Sequence, residues 1–214
     1  MITIKTSTIY NCDCMELMAK YPDNYFDLAI VDPPYGIERF EKNVESKSRK
    51  TFTNKLNEWD KKPTKEYFNE LMRVSKNQII WGANHFWENN LPNCPHFIIW
   101  DKQQPVPNFA FGEMAWSSFS GVAKKIQLAY YGNIGNDIGG RMHPTQKPIK
   151  LYEWLLTNYA KQNDKILDTH LGSGSHAIAC NNLGFELTAC ELDKDYYEAS
   201  IERIKREAQQ ERLF

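Results

Sequence analysis

The chain has 214 residues, of which 42% are hydrophobic and 25% charged, a composition that excludes a disordered or fibrous protein. The formal net charge is −1, from 26 Lys and Arg against 27 Asp and Glu, so a uniformly basic coat for nucleic acid is excluded, although a local basic patch is not. No apolar run approaches the roughly 18–20 residues that span a bilayer, and residues 1–5 lack a signal-peptide layout. We expect a single domain over residues 1–214 and no membrane partner.

The first half of the chain contains several short apolar runs that predict strands. Residues 26–31 predict a buried strand, which ends at the prolines of Asp32-Pro33-Pro34-Tyr35 because proline cannot donate to a strand ladder. Residues 64–75 predict an amphipathic helix with Thr64 as its N-cap. Further apolar runs predict strands at 78–81 and 97–100, with a third candidate at 126–130.

The segment between the first strand and the helix is basic and poor in apolar residues. Residues 38–66 carry nine Lys and Arg against six Asp and Glu. This composition predicts a mobile loop.

The five cysteines indicate no metal or disulfide framework. They stand at positions 12, 14, 94, 180 and 190, an odd number without paired C-x-x-C spacing. Free thiols are typical of a reducing compartment, which predicts a cytoplasmic protein without a metal site.

The last third of the chain alternates between helix and strand patterns. In chain order it predicts a helix at 149–160, a strand at 165–168, a glycine turn at 172–175, a helix to about 183, a strand at 186–191 and a helix at 193–206. A strand, a glycine turn, a helix and a strand that ends in an acid make up a βαβ nucleotide-binding unit.

The glycine turn and the acid after it predict a ligand site. Gly172 and Gly174 let the backbone approach a ligand closely, and the following helix N-terminus suits an anionic group. Glu191 ends the next strand, where a carboxylate can accept both hydroxyls of a ribose. Ala177 stands where a dinucleotide-binding pattern has its third glycine. A plain helix-start turn with a solvated acid is the alternative.

The run Asp32-Pro33-Pro34-Tyr35 directly follows a predicted buried strand, at the sheet edge where α/β proteins bind ligands. The stiff prolines preset the Asp32 carboxylate and the Pro33 carbonyl as acceptors, and Tyr35 offers a stacking face. This set suits a planar group that carries an exocyclic amine. A proline-rich strand exit with a buried tyrosine is the alternative.

These motifs together resemble a known family. Asp32-Pro33-Pro34-Tyr35 resembles the catalytic motif of S-adenosylmethionine-dependent amino-methyltransferases acting on DNA, and residues 167–175 are similar to their cofactor motif. Residues 143–148, His-Pro-Thr-Gln-Lys-Pro, are similar to the segment before that motif in the circularly permuted β class, whose catalytic half comes first, as here. Residues 11–14 and 73–77 are similar to further segments of the family, so the resemblance covers about residues 9–206.

The resemblance implies a Rossmann-like α/β methyltransferase fold, with a mostly parallel twisted sheet, helices on both faces and a small inserted recognition segment. The catalytic half would be residues 1–100 and the cofactor-binding half residues 141–214. Target recognition would fall to short segments at about 36–62 and 101–140. Segments this short suit a short recognition sequence or help from a partner subunit, such as a homodimer.

The implied reaction is methyl transfer from S-adenosylmethionine to the N6 amine of a flipped-out adenine in DNA, as in restriction–modification enzymes. The Asp-Pro-Pro-Tyr form is usual for adenine N6, whereas Ser-Pro-Pro-Tyr is more usual for cytosine N4. Asp32 and the Pro33 carbonyl would accept the hydrogens of the amine, with Pro34 stiffening the run and Tyr35 stacking on the base. No metal is needed.

The resemblance also implies contacts to the cofactor. Asp13 is the candidate for the adenine amine, Glu191 for the ribose and Lys147 for the methionine carboxylate, although His143 and Lys147 could instead cap the helix at 149–160. The full set of candidates is Asp13, Cys14, Asp32, His143, Thr145, Lys147, Asp168, His170, Gly172, Ser173, Gly174, Ser175 and Glu191.

The chain departs from the family pattern at two places. Thr169-His170 replaces the usual Pro-Phe, and Ser175-His176 replaces the usual Thr-Thr. The charge state of His170 therefore matters for cofactor packing.

Five basic residues of the loop are candidates for DNA phosphate contacts: Arg39, Lys42, Lys47, Arg49 and Lys50. A solvated loop with incidental lysines is the alternative. For the whole chain, three other functions stay open: a cytosine-N4 or RNA amino-methyltransferase, a nicotinamide-dependent oxidoreductase, and a DNA-binding module without catalysis.

Overall fold

The computed structural model describes residues 1–36, 61–86, 88, 91–105, 107, 110–130 and 146–210. The strands are β1 Ile2–Ile4, β2 Ser7–Asn11, β3 Phe26–Val31, β4 Ser75–Trp81, β5 Ile98–Asp101, β6 Gly112–Ser117, β7 Lys124–Gln127, β8 Lys165–Asp168 and β9 Glu186–Glu191. The α-helices are α1 Cys14–Met18, α2 Lys65–Val74, α3 Ile149–Tyr159, α4 Ser175–Leu183 and α5 Lys194–Gln210, and Ala83–His85 form a short 3₁₀ turn.

The strands form one mixed sheet in the order β1-β2-β9-β8-β3-β4-β6-β5-β7. Its centre, β2-β9-β8-β3-β4, is entirely parallel. The chain runs from β3 through α2 to β4 on one side, and from β8 through α4 to β9 on the other. The sheet therefore has a switch point between β3 and β8, which is where open α/β sheets bind their ligands.

Helices cover both faces of this sheet, as the resemblance implies. Leu28 and Ile30 of β3 pack into a core that includes residues of α3, α4 and α5. Ala29 and Val31 face the opposite core, with residues of α1 and α2. A strand covered on both faces is apolar at successive positions rather than at alternate ones, which explains the apolar run at residues 28–31 of β3.

Most predicted elements are confirmed to within a few residues, but the predicted N-cap of α2 is only partly right. Thr64 occupies the N-cap position, yet its side chain makes no capping hydrogen bond. The Thr64 hydroxyl instead bonds the Glu66 carboxylate, which lowers the pKa of Glu66.

The sequence does not predict β1, β2 or α1 at the start of the chain, nor the strand β6. β6 pairs antiparallel with both β4 and β5, within residues that the resemblance allots to target recognition. Residues 37–60, which contain most of the predicted basic loop, and residues 131–145 lie outside the described residues. Within the described part of the chain, no helix is both long and apolar enough to cross a bilayer.

Candidate active site

The two predicted motifs leave the sheet side by side. β3 and β8 are parallel neighbours, with Leu28 opposite Ile166 and Ala29 opposite Leu167. The same register, continued past the strand ends, brings residue 32 level with residue 170. The Asp-Pro-Pro-Tyr run and the glycine turn therefore border one crevice, at the switch point of the sheet.

Each oxygen of the Asp32 carboxylate has one polar partner, a hydroxyl or an ammonium group. The Tyr35 hydroxyl donates to Asp32 Oδ1 at 2.7 Å, and Lys147 Nζ forms an ion pair with Asp32 Oδ2. The side chain of Asp32 is 10% exposed and that of Lys147 only 1%. Burial raises the pKa of Asp32, and the positive charge of Lys147 opposes that rise.

A second carboxylate, which the sequence motifs do not indicate, faces Lys147 from β6. Glu113 Oε2 lies 3.0 Å from Lys147 Nζ, and Glu113 Oε1 forms an ion pair with Lys102. The four side chains form an alternating row of charges, Asp32–Lys147–Glu113–Lys102, in which two carboxylates balance two ammonium groups. We call this the charge row.

The pKa shifts in the charge row reflect burial opposed by mutual attraction. Burial disfavours charged Glu113, but the charges of Lys147 and Lys102 outweigh it and lower the pKa of Glu113 to about 2. Burial also disfavours charged Lys147, yet Asp32 and Glu113 raise its pKa. Lys147 and Glu113 are therefore both charged near neutral pH.

The Tyr35 ring is held by an aromatic stack and a glycine. It stacks on His85, with ring centroids 5.0 Å apart and planes at 13°. A Cβ at Gly82 would lie 2.1 Å from Tyr35 Cε1, and Gly82 has a φ of +69°, so this position requires glycine. Burial raises the pKa of Tyr35 well above its usual value, which keeps the hydroxyl protonated as a donor. No role for His85 is predicted from the sequence, because only the fold brings it to Tyr35.

The glycine turn is tied to the acid after the next strand. Gly172 and Gly174 have φ values of 54° and 79°. The Gly172 N–H donates to Glu191 Oε2 at 2.9 Å, and Glu191 Oε1 accepts from the Asp193 N–H at 3.0 Å. Burial raises the pKa of Glu191. Glu191 thus lies beside the turn, where the predicted ribose contact would be made, and it also braces the turn itself.

Asp168 supports the same turn from within the core. Its Oδ1 accepts from the His170 N–H at 3.0 Å, and its Oδ2 lies 2.9 Å from His176 Nδ1. Burial lowers the pKa of His170 to about 4, so the ring that replaces the usual Phe is neutral. Neutral imidazole suits an apolar wall of the crevice.

The final helix also holds the turn. Arg203 of α5 donates from Nη1 to the Ser173 carbonyl at 2.8 Å and to Ser175 Oγ at 2.9 Å. The Ser173 and Ser175 hydroxyls lie 3.2 Å apart. The sequence motifs identify the two serines but not Arg203, which lies almost 30 residues further along the chain.

Asp13 and Cys14 lie at the far side of the crevice. β2 pairs with β9 so that Asn11 is opposite Glu191, and Asp13 follows the end of β2. Asp13 Oδ1 accepts from the Met15 N–H at 2.7 Å and so caps α1. Burial raises the pKa of Cys14 to about 12, so its thiol is protonated.

Several predicted site residues lie outside the described residues. They are His143, Thr145 and the five basic residues Arg39, Lys42, Lys47, Arg49 and Lys50. Among the described residues, no group of three or more His, Cys, Asp or Glu side chains could hold a metal ion. The crevice does offer what a nucleoside with an amino-acid end requires: a half-buried carboxylate at Glu191 and the N-terminus of α4 after a glycine turn.

Comparison with known proteins agrees with this arrangement. Residues 99–202 match the sequence profile of the N6/N4 methyltransferase family, described as DNA methylase. The chain is 27% identical to type II methyltransferase M2.MboI of Moraxella bovis, over 96% of this chain and 93% of that protein. It is 24% identical to type II methyltransferase M.HinfI of Haemophilus influenzae, over 93% of this chain and 68% of that protein.

Solved structures share the fold at lower identity. The M1.HpyAVI–SAM complex superposes with a TM-score of 0.59 at 21% identity, covering 92% of this chain and 99% of that one. The PvuII DNA methyltransferase, described as cytosine-N4-specific, superposes with a TM-score of 0.63 at 13% identity, covering 97% and 93%.

The sheet order and the switch point agree with the Rossmann-like fold of these solved methyltransferases. The profile match over residues 99–202 and the two curated relatives support an N6/N4 DNA methyltransferase.

Proposed function

We propose that this protein transfers a methyl group from S-adenosylmethionine to the N6 amine of adenine in DNA. The observation that carries the proposal is the meeting of two motifs at one crevice, where Asp32 follows β3 and the glycine turn follows the neighbouring strand β8. Neither motif alone would indicate this reaction.

Asp32 and the Pro33 carbonyl make the exocyclic amine of the target base a better nucleophile. The lone pair of an exocyclic amine is delocalised into the ring, so the amine is a poor nucleophile. Asp32 and the Pro33 carbonyl accept hydrogen bonds from its two N–H groups and favour a tetrahedral nitrogen with its lone pair aimed at the methyl donor. As the N–C bond forms and the C–S bond of the donor breaks, the nitrogen releases one proton to Asp32. Catalysis is then mainly orientation and electrostatics. When bound, S-adenosylmethionine supplies an electrophilic methyl group.

The far side of the crevice holds the cofactor in this proposal. Glu191 accepts from the ribose hydroxyls, Asp13 accepts from the adenine amine, and the turn from Gly172 to Ser175 receives the methionine end. The side chains of His170 and Cys14 line the cofactor side of the crevice. Asp168 acts mainly through the turn, because its side chain is buried and both of its oxygens have partners within the protein. Glu191 is only half-buried, so it can bind a ligand as well as the turn.

The remaining assignments concern DNA. A base inside a duplex cannot reach Asp32, so it flips out at a cost of a few kcal/mol. Stacking on an aromatic ring is worth roughly 1–3 kcal/mol, and the Tyr35–His85 stack supplies that surface. The five basic loop residues contact the DNA phosphates.

His143 and Thr145 complete the cofactor side of the crevice. The protein acts in the cytoplasm, as a monomer or a homodimer. It belongs to a restriction–modification system or acts alone.

Cytosine N4 is the second candidate target. The similarity to a methyltransferase described as cytosine-N4-specific supports it, because both reactions use the same fold. Asp at position 32 favours adenine, since the cytosine-N4 motif more usually begins with Ser.

The test is methyl transfer from labelled S-adenosylmethionine to mixed-sequence DNA, followed by nucleoside analysis. The proposal predicts N6-methyladenine. N4-methylcytosine would transfer the proposal to the second candidate, and label in RNA alone, or no label at all, would refute it.

A further inference from the structure

Lys147 is the central cation of the charge row and lies between two carboxylates. It forms an ion pair with Asp32 Oδ2 and lies 3.0 Å from Glu113 Oε2. Its Nζ also donates to the Tyr35 hydroxyl at 3.3 Å. The ammonium group therefore touches both polar members of the Asp-Pro-Pro-Tyr run, and its side chain is only 1% exposed.

The two oxygens of Asp32 are both engaged in this arrangement. Oδ1 accepts from Tyr35 and Oδ2 from Lys147. An amine that is to donate a hydrogen to Asp32 must share or take one of these positions. An ammonium group that lost its carboxylate partner inside the protein would be strongly destabilised, unless another carboxylate were already within reach.

Glu113 is that second carboxylate. Its Oε2 is 3.0 Å from Lys147 Nζ and 3.4 Å from the Tyr35 hydroxyl. Lys102 pairs with the other oxygen of Glu113, which keeps Glu113 ionised and orients it towards Lys147. β6 positions Glu113 by antiparallel pairing with both β4 and β5.

We propose that Glu113 is a positioning residue of the methyl-transfer site, which holds Lys147 as a shared counter-ion so that Asp32 can exchange Lys147 for the amine of the target base. In the resting enzyme, the charge of Lys147 favours the ionised form of Asp32 and opposes the effect of burial on its pKa. When the base enters, Lys147 remains compensated by Glu113 while an Asp32 oxygen accepts from the amine. The inference rests on the proposed function and deepens it.

The pH dependence of kcat tests this role, because removing each neighbour moves the titration of Asp32 in an opposite direction. Lys147→Met removes the attraction that favours ionised Asp32, so the acid limb of the kcat profile moves to higher pH. Glu113→Gln removes a like charge that raises the pKa of Asp32, so the limb moves to lower pH. In the same variant the plateau falls about 10- to 100-fold, because Lys147 is left with Asp32 alone.

Matched variants separate this role from general damage. Glu113→Asp keeps the charge and should restore part of the plateau and the original limb. Glu153→Gln changes a glutamate of α3 that accepts from Asn182 at 2.8 Å, away from Asp32, and should leave the profile unchanged. The KM for S-adenosylmethionine should be unchanged in Glu113→Gln, since Glu113 acts on the amine side.

Titration of the ¹³C-labelled Asp32 carboxyl by NMR, in protein without DNA, gives the same answer without any turnover. The inference predicts opposite shifts of the Asp32 pKa in Lys147→Met and Glu113→Gln. Unmoved titrations in both variants would overturn it, as would a Glu113→Gln plateau equal to that of the wild type. Wild-type protein that methylates no nucleic acid would instead overturn the proposed function.

Discussion

Replacing Asp32 by Asn tests the catalytic assignment while leaving most of the site in place. Asn is nearly isosteric but neutral, and it offers the base one acceptor oxygen instead of a carboxylate. Hydrogen bonds to a charged group are worth about 1.5–3 kcal/mol, and removing one preset electrostatic contact commonly costs 10²–10³ in kcat. We expect kcat to fall about 100-fold or more.

The structure predicts a smaller effect of Asp32→Asn on stability. A buried ammonium group that loses its only partner costs about 3–5 kcal/mol. Lys147 retains Glu113 at 3.0 Å, so we expect a loss of only about 1–2 kcal/mol in the free energy of unfolding. Affinity for S-adenosylhomocysteine should stay within about twofold, because the cofactor residues lie across the crevice.

The assay is single-turnover methyl transfer, with calorimetric cofactor binding and denaturant unfolding measured on the same preparations. Asp27→Asn is the matched control, since Asp27 lies at the other end of β3 and pairs with Lys76 at 2.6 Å. Near wild-type turnover by Asp32→Asn would refute the catalytic role. If Asp32→Asn lost both turnover and cofactor binding, the idea that Asp32 acts on the target base and not on the cofactor would be refuted.

Three further perturbations test other parts of the site. Glu191→Gln should weaken S-adenosylhomocysteine binding about 10-fold in calorimetry, because a charged acceptor for the ribose and for the Gly172 N–H is lost; unchanged affinity would contradict the ribose assignment. Gly82→Ala should lower both turnover and Tm, because its Cβ would fall 2.1 Å from Tyr35 Cε1; a fully active variant would show that the position of Tyr35 is not required. A triple neutralisation in the basic loop should flatten the salt dependence of DNA affinity, and an unchanged slope would remove the phosphate role. It combines Lys47→Gln, Arg49→Gln and Lys50→Gln.

The sequence predicts those parts of the fold whose pattern is local. β3 is recognisable because residues 28–31 are covered on both faces and are therefore apolar in succession, and its end is marked by two prolines. The unit from β8 to β9 is recognisable because the glycine turn and Glu191 stand at the spacing of a nucleotide-binding unit. Both predictions depend on neighbours in the chain.

The missed features depend on contacts between distant segments. β6 has no regular alternation, because Ala115 and Trp116 pack into the cores on opposite faces of the sheet and Glu113 belongs to the charge row. His85 meets Tyr35 only because Gly82 lets the ring lie against the strand exit. Arg203 reaches the glycine turn from α5. Spacing in the sequence cannot reveal such contacts.

Lys147 shows the same limit for a residue that the resemblance did select. The resemblance implies a contact with the methionine carboxylate, and that contact stays a prediction. The structure adds the ion pair with Asp32 and the approach to Glu113. Those partners come from β3 and β6, which the local motif around Lys147 does not contain.

A crystal structure of the protein with bound S-adenosylhomocysteine tests the central claim most directly. We expect the ligand to lie in the crevice between β3 and β8, with its ribose at Glu191 and its sulfur facing Asp32. A ligand bound elsewhere, or one whose sulfur points away from Asp32, would contradict it.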